Sequence, residues 1–233
     1  MTPEQIREKR KAYHKALAFL KRSRLARIPE EHLRINSDDF SKLLNKTYVI
    51  DNQKDYVKII GEYDSKDLKS FAKVVYDQSE SLLKLPYIVI DGGNDLARRR
   101  AAFALMFRFI INDKWAYYSE CIPLAHEFEF IDTSHGAFTR NDWVASLKRP
   151  DVLYLGEFDP KLFNEHFWVG SFFDDILVDR MMSHKLTIVS FVKPLSENNK
   201  IKDKDCGKTL ADLSVRYKPS SKAFRIQVVP YES

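Results

Sequence analysis

The stretch that decides the fold runs from Tyr87 to Phe109, YIVIDGGNDLARRRAAFALMFRF. Tyr87–Ile90 is a short apolar run opened by Pro86, the composition of a buried strand. Gly92 and Gly93 supply a tight turn, and a helix over 95–112 follows with Leu96, Phe103, Phe107 and Ile110 on its apolar face. Strand, glycine turn and helix opening is the setting of a phosphate-binding loop, because backbone N–H groups at a helix start attract anions. The motif that belongs there, G-x-x-x-x-G-K-[ST], is missing. Ala97 and Arg98 stand where a lysine and a Ser/Thr would reach the phosphates and Mg²⁺. Architecture and chemistry disagree, and that conflict is the main clue to function.

The chain has 233 residues, enough for one domain with a small appendage, and its 44% hydrophobic share supports a sizeable core. No segment is apolar for long enough to cross a bilayer, which predicts no membrane contact. The charged N-terminus lacks a signal-peptide apolar block, which predicts a cytoplasmic location, the host cytoplasm for a viral protein. Cys121 and Cys206 are far apart and have no metal-ligand neighbours, so neither a disulfide nor a thiol-based metal site is expected. His126-Glu127 and Asp132 with His135 lack the i, i+4 spacing of a helical metal site, and no metal is expected there either. The net charge of +5 permits nucleic-acid contact without requiring it. Its distribution says more: from Arg7 to Arg34 there are ten Lys or Arg against the acids Glu8, Glu30 and Glu31.

That basic stretch predicts a helix over 3–27. Thr2 can cap it, Pro3 suits its first position, and Glu4 complements the dipole. Ile6, Tyr13, Leu17 and Leu20 fall on one face, and the remaining circumference is Lys and Arg with His14. Such a helix either docks on its own domain with a solvated charged face or docks on a partner with its cations near nucleic acid. The candidate residues for DNA or partner binding are Arg7, Arg10, Tyr13, Leu17, Lys21, Arg22 and Arg24, joined by Arg98, Arg99 and Arg100 at the later helix start. A charge run of the latter kind is expected to face solvent or nucleic acid.

Three segments follow from this reading: a basic N-terminal helix at 1–28, a connector and helical lead-in at 29–85, and an α/β core at 86–233. The lead-in carries helical patterns at 53–61 and 65–84. Within the core, Trp115–Ile122 reads as a strand, Glu127–Ile131 as a short extended piece, and Arg140 as the start of a short helix. DVLYLGEF after Pro150 and LTIVSFV at 186–192 read as strands buried on both faces, with a helix over 163–184 between them. A polar loop at 195–208, a short helix at 209–217 and a last strand at 223–229 complete the chain. Alternating strands and helices predict a three-layer α/β fold, a parallel sheet with helices on both faces.

The order of these pieces resembles the DnaC/DnaI/IstB-type AAA+ ATPases, the loaders of replicative DNA helicases. The resemblance spans roughly 25–229 and rests on five pieces: LARIPEEHLRINSDDF as lead-in, YIVIDGG with RRRAAFAL in the Walker A place, DVLYLGEFD in the Walker B place, FFDDILVDRMMSHKLTIVSFVKP, and TLADLSVRYK followed by FRIQVV. It implies an AAA+-like core in which Gly92, Gly93, Ala97 and Arg98 form a degenerate nucleotide site. Gly156 stands where the metal-holding aspartate is expected, and Glu157 alone survives, at the general-base place. The strand at the sensor position ends in Ser190-Phe191-Val192 with no asparagine. Arg216, with Arg180 second, is the candidate for the arginine that reaches a neighbouring subunit.

Loss of lysine, hydroxyl and aspartate removes the groups that stabilise phosphoryl transfer, so the resemblance implies a pseudo-ATPase that needs no cofactor, ATP and Mg²⁺ being the disfavoured alternative. The implied partners are a replicative DNA helicase, single-stranded DNA, and further copies or other replication proteins. Two other readings stay open: a non-catalytic subunit of a clamp-loader-type assembly, and an active ATPase with an unusual site in which Glu157 is the base.

Overall fold

Apolar runs between turn residues form a five-stranded sheet. The computed structural model describes residues 2–28, 75, 77–91, 95–133, 139–158, 167–192 and 225–229. Its elements are α1 (Pro3–Leu25), β1 (Tyr87–Asp91), α2 (Asp95–Ile111), β2 (Ala116–Glu120), α3 (Cys121–Thr133), α4 (Arg140–Lys148), β3 (Val152–Phe158), α5 (Phe167–Met182), β4 (Leu186–Phe191) and β5 (Arg225–Val229). The chain divides into two compact units, residues 1–79 with 103–116, and residues 80–102 with 117–233. The expected lead-in helix at 53–61, the helix at 209–217 and the loop at 195–208 lie outside the described residues.

The sheet has the order β2-β3-β4-β1-β5. β4 lies parallel to both of its neighbours, pairing Tyr87 with Thr187 on β1 and Val152 with Leu186 on β3. The last strand departs from the expected parallel sheet. β5 runs antiparallel to β1, with Tyr87 opposite Val229 and Asp91 opposite Arg225. An edge strand hydrogen-bonds on one side only, so its direction is set by how the chain returns to the edge and not by its own residues.

The chain leaves β1 for the far edge at β2 and returns through β3 and β4. One face is packed by α3, α4 and α5. Tyr87, Val89, Leu153, Leu155, Val189 and Phe191 from the strands meet Leu124, Trp143, Leu147, Phe173, Ile176 and Leu177 from the helices. Trp143 stacks on Phe172 with centroids 5.1 Å apart and donates its indole N–H to Glu127 Oε2 at 3.2 Å. The opposite face, with Ile88, Ile90, Tyr154 and Ile188, is equally buried.

Glu127–Ile131 is helical, against the expectation of an extended piece. Its Glu-Phe-Glu-Phe alternation suggests a strand, but the buried residues just upstream, Cys121, Leu124 and Ala125, have helical spacing. Pro123 sits in the opening turn, where its missing N–H costs nothing.

Helix ends follow local rules. In α1 the Thr2 hydroxyl accepts from Gln5 N–H at 3.3 Å, and the Gln5 side chain accepts from Thr2 N–H at 2.9 Å, a capping box. α1, α2 and α5 each end in a Schellman motif whose left-handed residue is Arg27 (φ 57°), Asp113 (φ 64°) or His184 (φ 53°) in place of glycine. Arg22 is tied down in its own unit, bonded to Asp113 and to the Ile110 carbonyl.

Arg180 is fully buried and fixes the amino ends of β3 and β4. Its guanidinium donates to the carbonyls of Leu147, Pro150 and Leu186 at 3.1, 2.8 and 2.6 Å and to the Thr187 hydroxyl at 2.9 Å. Burial lowers its pKa to about 10, opposed by Asp151, Tyr87 and Asp179, so it stays charged at neutral pH. Arg180 is therefore spent inside its own fold and is not available to a neighbouring subunit. Arg180→Met should lower unfolding stability by about 3 kcal/mol or more, because several buried carbonyls lose a charged donor. Arg180→Lys should recover little of this, since an ammonium lacks the planar fork. Urea denaturation reads both; a loss under about 1 kcal/mol for the methionine variant contradicts the assignment.

Candidate functional site at the carboxyl end of the sheet

Ligands of open α/β sheets collect beyond the carboxyl ends of the strands. Here that end carries a strand irregularity. Leu155 pairs with Val189 and Phe158 with Phe191, so Gly156 and Glu157 together oppose Ser190. The extra residue is a β-bulge, rare between parallel strands. It reverses the in-out alternation, letting Phe158 join Leu153 and Leu155 on the face packed by α3–α5. Phe158 then meets Phe173 edge-on at 5.2 Å.

The bulge also puts Glu157 in the left-handed region, with φ 59°. Among the described residues with positive φ other than glycine, Arg27, Asp113 and His184 end helices; Glu157 alone lies in a strand. Such strain costs about 1–3 kcal/mol and persists only where surroundings enforce it. The surroundings are a buried polar network. Arg98, from the opening turn of α2, clasps the Glu157 carboxylate with both arms, Nε to Oε1 at 3.1 Å and NH2 to Oε2 at 2.7 Å. Their side chains are 4% and 10% exposed, so this is an interior ion pair. Ser190 Oγ accepts from Glu157 N–H at 2.9 Å and donates to Glu157 Oε1 at 3.0 Å. With that proton committed, the Tyr154 hydroxyl must be the donor in its 2.8 Å bond to Ser190. Burial first, with Glu157, Glu120 and Cys121 nearby, pushes the Tyr154 phenol far above its ordinary pKa despite Ser190, and it stays protonated.

Tyr154 stacks on Tyr118 at 4.9 Å, which extends the network to the end of β2. Tyr118 donates to Glu120 at 2.5 Å, and Arg99 reaches the same carboxylate with Nε at 2.8 Å. Burial and the bond to Glu120 raise the Tyr118 pKa well above the ordinary phenol range. Burial works against the charge on Arg99, but Glu120, Tyr118, Glu157 and Asp95 outweigh it and raise its pKa. Cys121 is buried at this end and its thiol is pushed up, by burial first and then by Glu157 and Glu120, which makes it unreactive.

Gly156 has a steric reason to be glycine. A Cβ there would lie 2.3 Å from the Tyr154 hydroxyl and 2.4 Å from its ring, because the two residues share a sheet face. No carboxylate fits at 156 while Tyr154 holds its place.

The structure thus brings Arg98 and Glu157 together and joins Arg99 to the same end of the sheet. Arg98 is buried and paired, against the expectation that it faces solvent or nucleic acid. The expected charge run was misjudged because an ion pair 59 residues apart leaves no local pattern. Ser190, noted in the sequence at the sensor position, joins the network, and Tyr154, a polar group inside an otherwise apolar strand, is the member that sequence reasoning missed. Gly92, Gly93 and Arg216, and the side chains of Tyr13, Ala97 and Arg100, lie outside the described residues. In α1, Arg7, Arg10, Lys21, Arg22 and Arg24 are exposed and Leu17 is half-buried. Among the described residues, no group of three His, Cys, Asp or Glu could hold a metal ion, and no helix is long and apolar enough to cross a membrane. No protein-family model matches the chain, and no curated protein matches it.

The chemistry of this site is closed on itself: the carboxylate that could act as a base already accepts three side-chain hydrogen bonds. Arg98→Met or Glu157→Gln alone should each cost about 3–5 kcal/mol, and the double variant clearly less than their sum. Additive losses in a denaturation cycle contradict the pairing. Gly156→Ala should cost about 1–3 kcal/mol by overpacking, and less in a Tyr154→Leu background. Equal costs in both backgrounds would show that the ring is not the obstacle.

Proposed function

We propose that this protein is a DNA replication accessory factor of the helicase-loader type, whose own nucleotide site is inactive. The observation that carries the reading is the Arg98–Glu157 pair. In the resemblance to DnaC/DnaI/IstB-type loaders, Arg98 occupies the Walker A Ser/Thr place and Glu157 the Walker B glutamate place. The first group would hold Mg²⁺ and the second would activate water. Here a guanidinium has taken up the carboxylate, so the charge that a metal and phosphates would balance is balanced from within. The crowding of position 156 by Tyr154 supports the same conclusion, since the expected metal-holding carboxylate has no room.

Without turnover, the function is one of binding. The basic helix α1 grips a replicative helicase, and the AAA+-like body contacts single-stranded DNA, further copies or other replication proteins. The test is a pull-down of the replicative helicase encoded in the same genome, with the full chain and with residues 1–28 removed. Capture by the full chain and its loss on truncation are expected, together with no ATP turnover by either form. Unchanged capture after truncation would defeat the docking role of α1. Turnover that disappears in Glu157→Gln would defeat the pseudo-ATPase reading. Stable assembly with an ATPase and no helicase capture would favour the clamp-loader-type alternative.

A further inference from the structure

The exposed residues of α1, which the helicase reading gives to a protein partner, carry a pattern that suits a different ligand. At about 100° per residue, Arg7, Arg10, Lys11, His14, Ala18, Lys21 and Leu25 fall within one arc roughly 120° wide. All seven are exposed. Their spacing of i, i+3, i+4, i+7, i+11, i+14 and i+18 follows one face of the helix from its opening turn to its last. The buried residues near its end, Ser23 and Ala26, lie on the other side, and Arg22 anchors that end through Asp113. The cations Arg7, Arg10, Lys11 and Lys21 therefore form a stripe about 21 Å long at 1.5 Å per residue. Acids are kept off its middle: Glu8 lies outside the arc, and Glu4 sits at its edge in the first turn, where it suits the helix dipole.

We infer that this stripe is a binding site for the phosphates of duplex DNA, without sequence preference. Charge complementarity selects a polyanion: Arg7, Arg10 and Lys11 cluster at the opening of the helix, and Lys21 lies about 15 Å further along the same face, a spread that can meet more than one phosphate. Duplex is favoured over single strands on two grounds. Its charge density is higher, so each neutralised phosphate releases more counterion. Single-strand sites also offer aromatic platforms for unstacked bases, and none of the seven residues of the arc is a Phe, Tyr or Trp. The arc carries no Asn or Gln to read adenine, and an exposed row of Arg and Lys on the surface of one helix suits phosphate contacts, which position a protein on the duplex without reading sequence. The inference rests on α1 alone and does not need the helicase reading to hold.

The experiment measures binding of the full chain to a fluorescent 30-base-pair duplex, of about three helical turns, and to the matching single strand, at several salt concentrations. Four phosphate contacts predict a duplex log–log salt slope of about −3.6, a loss of roughly 10²-fold between 50 and 200 mM salt. The variant R7Q/R10Q/K11Q/K21Q should remove most of that slope and bind duplex at least about 10-fold more weakly at the lower salt. The substituted side chains are exposed, and circular dichroism checks that the helix persists. The wild-type slope and the duplex preference test the inference even if the variant fails to fold. A near-zero slope, tighter binding to the single strand, or a folded variant with wild-type duplex affinity would each overturn it. Loss of helicase capture by the variant with duplex binding intact would give the stripe to a protein partner instead. Duplex binding by a wild-type chain that captures no helicase would remove the loader reading and leave this site standing.

Discussion

A carboxylate and a guanidinium taken together out of water constrain everything around them. Neither Arg98 nor Glu157 can be left alone in the interior, because an uncompensated buried charge costs several kcal/mol. To bring the two side chains together, β3 takes an extra residue and Glu157 accepts a left-handed backbone. Charge-assisted hydrogen bonds to both carboxylate oxygens offset that strain. Ser190 supports the backbone N–H and the carboxylate of the same residue, and Tyr154 locks Ser190 in turn. The strain at Glu157 is held in place by this self-neutralised network.

The two ends of the sheet are secured by different chemistry. At the amino end, Arg180 donates to carbonyls and a hydroxyl, groups that carry no charge at any ordinary pH. Lys185 adds bonds to the carbonyls of Lys148 and Arg149 at 2.9 Å, closing the last turn of α4. At the carboxyl end, the contacts of Arg98 and Arg99 are to the carboxylates of Glu157 and Glu120. One end is fastened to the backbone itself, and the other depends on which side chains happen to face each other. Variation in sequence can therefore remodel the second end while the first keeps the strands aligned.

The elements legible in the sequence are those whose own residues decide them. Tyr87–Asp91, Val152–Phe158 and Leu186–Phe191 are apolar runs too short for helices, and each is a strand. Thr2, read as the cap of α1, does cap it, and α4 starts at Arg140 as its residues suggest. What could not be read is decided elsewhere in the chain. The Glu-Phe alternation of 127–130 misleads because burial of α3 follows from Cys121, Leu124 and Ala125 upstream of it. The direction of β5 depends on the route of the chain to the sheet edge. The site was half legible. Glu157 and Arg98 were singled out by position, but their contact required the bulge, which no local pattern announces.

Tyr154 and Gly156 share one small volume, and this imposes an order on sequence change. A side chain can enter at 156 only after the tyrosine has shrunk, and shrinking it takes the donor from Ser190 and the stacking partner from Tyr118. The intermediate, with the tyrosine shrunk and the glycine kept, is worse packed than the starting point. Selection acting one residue at a time meets a valley there, whatever advantage lies beyond it. The ring over the glycine works as a ratchet: while it stays in place, position 156 is held to glycine.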